Sequence, residues 1–170
     1  YLAALTEFWR AHREAAGVLH VCGLGYSRPG FEDRPKGGAT SDHWIDLEKL
    51  VFEPHFEEYV REAFNPVGLM LDFWEEEVPA AATRELKVYV INDLYEDWRG
   101  EVRLRVLRSG QEVSVQSQPA SVPSLGRAIL SFPLPLPGES GGYTIVAELT
   151  DGQGNRVRSL RDVTVKQSHP

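Results

Sequence analysis

Along the first sixteen residues Leu2, Leu5, Trp9, His12 and Ala16 recur at three- and four-residue spacing, with Phe8 beside them. Arg10, Arg13 and Glu14 fall on the opposite face. That period predicts an amphipathic helix closed by Gly17. The short apolar run Val18-Leu19-His20-Val21-Cys22 follows. It is too brief for a helix and lacks strict alternation, so it reads as a strand buried on both faces, as in a parallel sheet. Residues 23–40 are rich in glycine and contain Pro29 and Pro35, the composition of a long loop. Ser41 or Asp42 caps a short helix running to about Leu50. A second helix begins near Pro54 and carries Phe56, Tyr59, Val60, Ala63 and Phe64 at helical spacing. Asn65-Pro66 ends it.

Beyond Pro66 the period changes to two. Val67, Leu69, Leu71 and Phe73 alternate with small or polar positions, and Leu86 to Ile91 forms a second strand closed by Asn92-Asp93. Val102, Leu104 and Val106 alternate with arginines, and Gln111 to Val115 pairs back across Ser109-Gly110. Further strands lie at 128–132, 143–149 and 157–165, separated by a proline-rich turn at 133–138 and a turn at 151–155. Seven strands in about 100 residues, with regular turn signals, predict an antiparallel sandwich of immunoglobulin-like size. The Cys–Trp–Cys core of antibody domains is absent, so the expectation concerns architecture alone.

Composition narrows the function classes. With 42% hydrophobic and 10% aromatic residues in 170, the chain has ample core material. A net charge of −7 argues against nucleic acid and anionic lipid as partners. No run of 18 apolar residues is present, so no spanning helix is predicted. The single Cys22 excludes an intrachain disulfide and a cysteine-rich zinc site. The chain opens at Tyr1 directly into a helical pattern, the expectation for a piece of a longer polypeptide, whose compartment is then not readable because any targeting segment would lie upstream.

Local motifs add little chemistry. Gly23-Leu24-Gly25-Tyr26-Ser27 matches neither a dinucleotide fingerprint nor a nucleophile elbow. Five scattered histidines lack metal-binding spacing, so neither a metal nor a cofactor is expected. Asp72, Glu75, Glu76 and Glu77 read as a solvated strand end, and Asp151-Gly152-Gln153-Gly154-Asn155 as a hairpin turn rather than a calcium loop. His20 reads as a hydrogen-bonded core histidine, and Cys22 as a small buried hydrophobe.

Two segments carry a family resemblance. Phe64-Asn65-Pro66-Val67-Gly68-Leu69-Met70-Leu71-Asp72-Phe73-Trp74 resembles the exit from the catalytic barrel into the following sandwich in family-two glycoside hydrolases from bacterial genomes. Val88-Tyr89-Val90-Ile91-Asn92-Asp93, with Trp98 and Gly100 soon after, is similar to a strand of that family's post-barrel sandwich. The group comprises β-galactosidases, β-mannosidases and β-glucuronidases. The resemblance implies an α/β segment over 1–65, the C-terminal end of a (β/α)8 barrel, followed over 66–170 by an all-β immunoglobulin-like antiparallel sandwich.

It also implies hydrolysis of β-glycosides by a retaining two-carboxylate mechanism, which needs carboxyls about 5–5.5 Å apart. The strand at 18–22 would be the eighth of the barrel, so both catalytic glutamates would lie upstream of Tyr1. The rest of the barrel in the same polypeptide and a carbohydrate substrate are then the implied partners. Barrel sites sit at the C-terminal ends of the strands, which would turn Tyr26, His43 and Trp44 towards the sugar. Ile45 and Leu47 beside Trp44 allow it a core role instead. The alternative is a non-catalytic sandwich binding carbohydrate or protein, with Tyr89, Tyr95 and Trp98 as its aromatics; a small enzyme built on Cys22 is a third. In a self-contained module strand 18–22 would have to join the sandwich or pair with a second copy.

Overall fold

The computed structural model describes residues 1–19, 43–46 and 49–167. Its frame is two sheets packed face to face, antiparallel throughout except at one short edge strand. The first runs β3 (Val67–Asp72), β5 (Thr83–Asn92), β8 (Arg127–Pro135) in spatial order. In the second, β4 (Glu77–Pro79), β10 (Arg156–Lys166), β9 (Gly141–Thr150), β6 (Trp98–Arg108) and β7 (Gln111–Val122) lie side by side. All seven strands read from the alternation are present. The short β4 is an addition, pairing parallel with the end of β10.

Alternation explains the core. Val88 and Val90 of β5, Val102, Leu104 and Val106 of β6, and Ile145, Ala147 and Leu149 of β9 point between the sheets with Phe132 and Leu134 of β8. At the start of β9 the Tyr143 hydroxyl donates to the Glu139 carbonyl at 3.0 Å, the tyrosine corner of immunoglobulin-like sandwiches. Buried Asn92 fastens two turns together. Its amide donates to the carbonyls of Glu96 (2.8 Å) and Pro123 (3.1 Å), and its side-chain oxygen accepts from the Leu94 backbone N–H.

Among the described residues the expected end of a (β/α)8 barrel is not found, which corrects the α/β fold class expected over 1–65. Helix α1 (Leu2–His12) lies against the outer face of the three-stranded sheet, where Ala11 packs on Met70 of β3 and Ile91 of β5. No strand is found at Val18 and Leu19, and Leu19 is 91% exposed; His20 to Cys22 lie outside the described residues. Where a helix was expected over 42–50, β1 (Trp44–Asp46) and β2 (Val51–Phe52) pair antiparallel. Stacking of Trp44 on Phe52, with ring centroids 4.1 Å apart, holds that ladder together. Among the described residues, the strand with both faces buried is β3, lined by the sandwich core on one side and by α1 on the other.

Helix α2 (Phe56–Ala63) forms where the sequence places it, with Glu57 and Glu58 in its first turn and Arg61 in its last. It meets β10 through Arg158, whose guanidinium reaches Glu58 and, at 2.8 Å, Glu62. Among the described residues no helix is long and apolar enough to cross a membrane.

Candidate functional site

Of the three residues expected to face a sugar, Tyr26 lies outside the described residues. His43 and Trp44 share one aromatic cluster: the buried His43 ring stacks on Phe56 at 4.5 Å, and Trp44 stacks on Phe52. The His43 carbonyl accepts from the Glu53 N–H at 2.8 Å, which closes the β1–β2 ladder. Trp44 Nε1 is buried without a hydrogen-bond partner. Tyr89, Tyr95 and Trp98 do not form a row. Trp98 belongs to the core and Tyr95 projects from a turn, while Tyr89 is partly buried between His12 and Arg127.

A different aromatic is presented to solvent. At the end of β3 the chain keeps Phe73 in the core, and the next residue, Trp74, is thrown outward and is 49% exposed. Three contacts fix its ring. Its Nε1 donates to Asp72 Oδ1 at 3.0 Å, the Arg161 guanidinium sits 4.7 Å from its centroid, and Phe8 of α1 meets it edge-on at 6.0 Å. Beside it opens a cleft of about 750 Å³ lined by Trp74, Glu75, Tyr143, Thr144, Arg161 and Asp162 among others. A smaller hollow of about 370 Å³, bordered by Asp72, Arg84 and Glu85, also touches Trp74.

Arg161 is held from below. Its Nη2 donates to Glu7 Oε2 at 3.1 Å, and its Nη1 donates to the Leu160 carbonyl at 2.7 Å. Ser159 donates its hydroxyl to the same Glu7 oxygen at 2.7 Å and accepts the Leu71 N–H at 3.0 Å. Burial pushes the Glu7 carboxyl up to about 7, outweighing the opposing attraction of Arg161 and the hydrogen bonds from Ser159 and Arg161. Arg161 Nε is buried and has no hydrogen-bond partner.

The acidic cluster is dispersed by its own contacts. Asp72 accepts from Trp74, Glu75 pairs with Arg84 at 3.4 Å and Glu77 with Lys166 at 2.6 Å. Among the described residues no three His, Cys, Asp or Glu side chains converge as a metal site would require. Asp151 is satisfied by its own turn, accepting from the backbone N–H groups of Gln153 (2.9 Å) and Asn155 (2.7 Å). Sequence reasoning passed over Trp74 as a site residue. The available signal was its phase: Val67, Leu69, Leu71 and Phe73 take the inward positions, which sends the following tryptophan out.

Strand order, face-to-face sheets and the tyrosine corner define an immunoglobulin-like sandwich. Within it, residues 84–166, from β5 through β10, match the family model described as the mannosidase Ig/CBM-like domain. That similarity is to a glycosidase-associated domain and covers just under half of the chain. No curated protein matches the chain. Among solved structures, a CARDB domain from Pyrococcus furiosus is similar at 19% identity and a TM-score of 0.47, over 59% of this chain and 90% of that one. A β-glucosidase from Listeria innocua is similar at 10% identity and a TM-score of 0.48. A cycloisomaltooligosaccharide glucanotransferase from Paenibacillus is similar at 18% and 0.45. These two cover 60% and 62% of this chain, which spans 16% and 14% of theirs.

Proposed function

We propose that the chain is an accessory domain of a glycosidase, packed beside a catalytic domain that hydrolyses β-glycosidic bonds with retention. The two catalytic carboxylates belong to another part of the same polypeptide. The match of residues 84–166 to the mannosidase Ig/CBM-like domain carries this reading. A physical observation supports it. Leu5 and Trp9 of α1 are 52% and 46% exposed, and Tyr59 and Phe64 of α2 are also exposed. Exposed large apolar side chains on both helices suit a surface that meets another domain.

The test uses the full-length product of the encoding gene and a panel of nitrophenyl β-glycosides, with and without residues 66–170. Hydrolysis of one β-glycoside with retained anomeric configuration, and a lower thermal midpoint on removing 66–170, is the expected result. Failure to hydrolyse any β-glycoside overturns the reading. A second reading, a sandwich that binds carbohydrate directly, is favoured by one observation, the half-exposed Trp74 beside an open cleft.

A further inference from the structure

We infer that the cleft beside Trp74, between the end of β3 and the β9–β10 pair, is a subsite for a neutral pyranose unit of an oligosaccharide. The inference deepens the glycosidase-associated reading by naming a ligand class and a place.

Three features of the cleft point the same way. Trp74 offers an apolar aromatic surface to solvent, and the C–H face of a pyranose ring is the complementary surface. The ring is immobilised before any ligand arrives, by Asp72 at its Nε1, Arg161 at 4.7 Å and Phe8 at its edge, so little freedom is lost on binding. Tyr95, 90% exposed, has no such support. The volume of about 750 Å³ falls in the ordinary range for small-ligand clefts, roughly 300–1,000 Å³.

The lining also selects. Glu75, Glu76, Asp162 and Thr144 line one cleft, Thr144 donating to Asp162 at 2.7 Å, and carboxylates and hydroxyls are the partners a polyhydroxylated ligand requires. The carboxylates outnumber the one lining guanidinium, Arg161, and so disfavour uronates and sulfated sugars, which carry the same charge. Arg161 is nine-tenths buried and is held by Glu7, so the base of the cleft is built and rigid.

The experiment is titration of the 170-residue chain with mannobiose, mannotetraose and cellotetraose, followed by calorimetry and by NMR of the tryptophan indole N–H signals. A uronate oligomer serves as the charged comparison. Saturable binding of a neutral oligosaccharide is expected, with the Trp74 indole signal shifting and the uronate binding at least tenfold more weakly. Trp74→Ala should weaken binding at least tenfold and Trp74→Phe by less, with the thermal midpoint of each variant confirming that it folds. Absence of saturable binding, or binding that Trp74→Ala leaves unchanged, overturns the subsite. That outcome is separable from the parent reading, because hydrolysis by the full-length protein is measured independently of binding to this chain.

Discussion

A buried carboxyl at a helix–sheet contact ties stability to pH. Glu7 has an ordinary value of 4.5 in water and about 7 in the folded protein, where burial disfavours its charged form. The folded state therefore holds a proton that the unfolded state releases between these values. By linkage its contribution to stability is fully present below about pH 4.5 and is lost as pH rises towards 7. A shift of this size corresponds to about 3 kcal/mol at most. Urea denaturation at pH 4.5 and pH 8 should show that loss in the natural chain and a much smaller one in Glu7→Gln, once carboxylates common to both cancel. A pH dependence identical in the two proteins would mean that folding does not change proton binding at Glu7. A second residue works by being absent. A Cβ on Gly100 would stand 2.5 Å from the buried Trp98 ring, which has core on its other side. Overpacking of this kind costs about 1–3 kcal/mol, so Gly100→Ala should lower the denaturation midpoint without changing the slope.

At the scale of elements, α1 is attached by an arginine clamp more than by an apolar stripe. Arg10 passes over Gly68 to the Ala63 carbonyl and to the Asn65 carbonyl at 2.7 Å, and pairs with Asp93 at 2.8 Å. Arg13, in the left-handed conformation that ends the helix, reaches Asp93 at 2.8 Å and the Gly126 carbonyl at 2.9 Å. These tertiary bonds explain why α1 stops at His12 rather than at Gly17. Arg10→Ala would strand carbonyls of the α2–β3 turn and remove one ion pair, so α1 amides should exchange with solvent at least tenfold faster while β5 and β9 amides keep their protection. Uniform acceleration across the sandwich would instead make α1 part of one cooperative unit.

The clamp also shows what the sequence could and could not say. Period two gave the seven sandwich strands because each buries one face against the other sheet, a local signal. The helix was legible as a helix, but its inward face was not. Glu7, Arg10 and Ala11 turn in because Ser159, Arg161, Asp93 and Met70 receive them, and those partners lie tens of residues away. Leu5 and Trp9, the expected core face, turn out. Short β1, β2 and β4, at two or three residues each, are set by long-range stacking and edge pairing rather than by any run of pattern. The sugar-facing residues expected from the barrel resemblance share the limitation, since their orientation was borrowed from a barrel strand that is not found among the described residues. His43 and Trp44 are placed by stacking on Phe56 and Phe52, whereas Trp74 owes its position to the strand phase of β3.

For the whole molecule the question is how far the sandwich depends on the helices laid against it. The sandwich core has its own closed set of side chains, but Met70 and Ile91 lie outside that set, fully buried under α1 with Ala11. Removing residues 1–65 would uncover both. Burial of side chains this size is worth about 1.5–3 kcal/mol each, hence about 3–6 kcal/mol together, a large fraction of the roughly 5–15 kcal/mol that holds a typical domain folded. The Ser159 hydroxyl and the Arg161 guanidinium would lose Glu7, but both would gain water, which limits the further cost. The 66–170 fragment should therefore keep its β-sheet circular dichroism and unfold at a distinctly lower urea midpoint than the full chain. Introducing Met70→Thr and Ile91→Thr should then cost the fragment far less than it costs the full chain, because only in the latter do those side chains face a helix. Equal midpoints for fragment and full chain, or equal costs of the double substitution in both, would show that α1 rests on the sandwich without stabilising it.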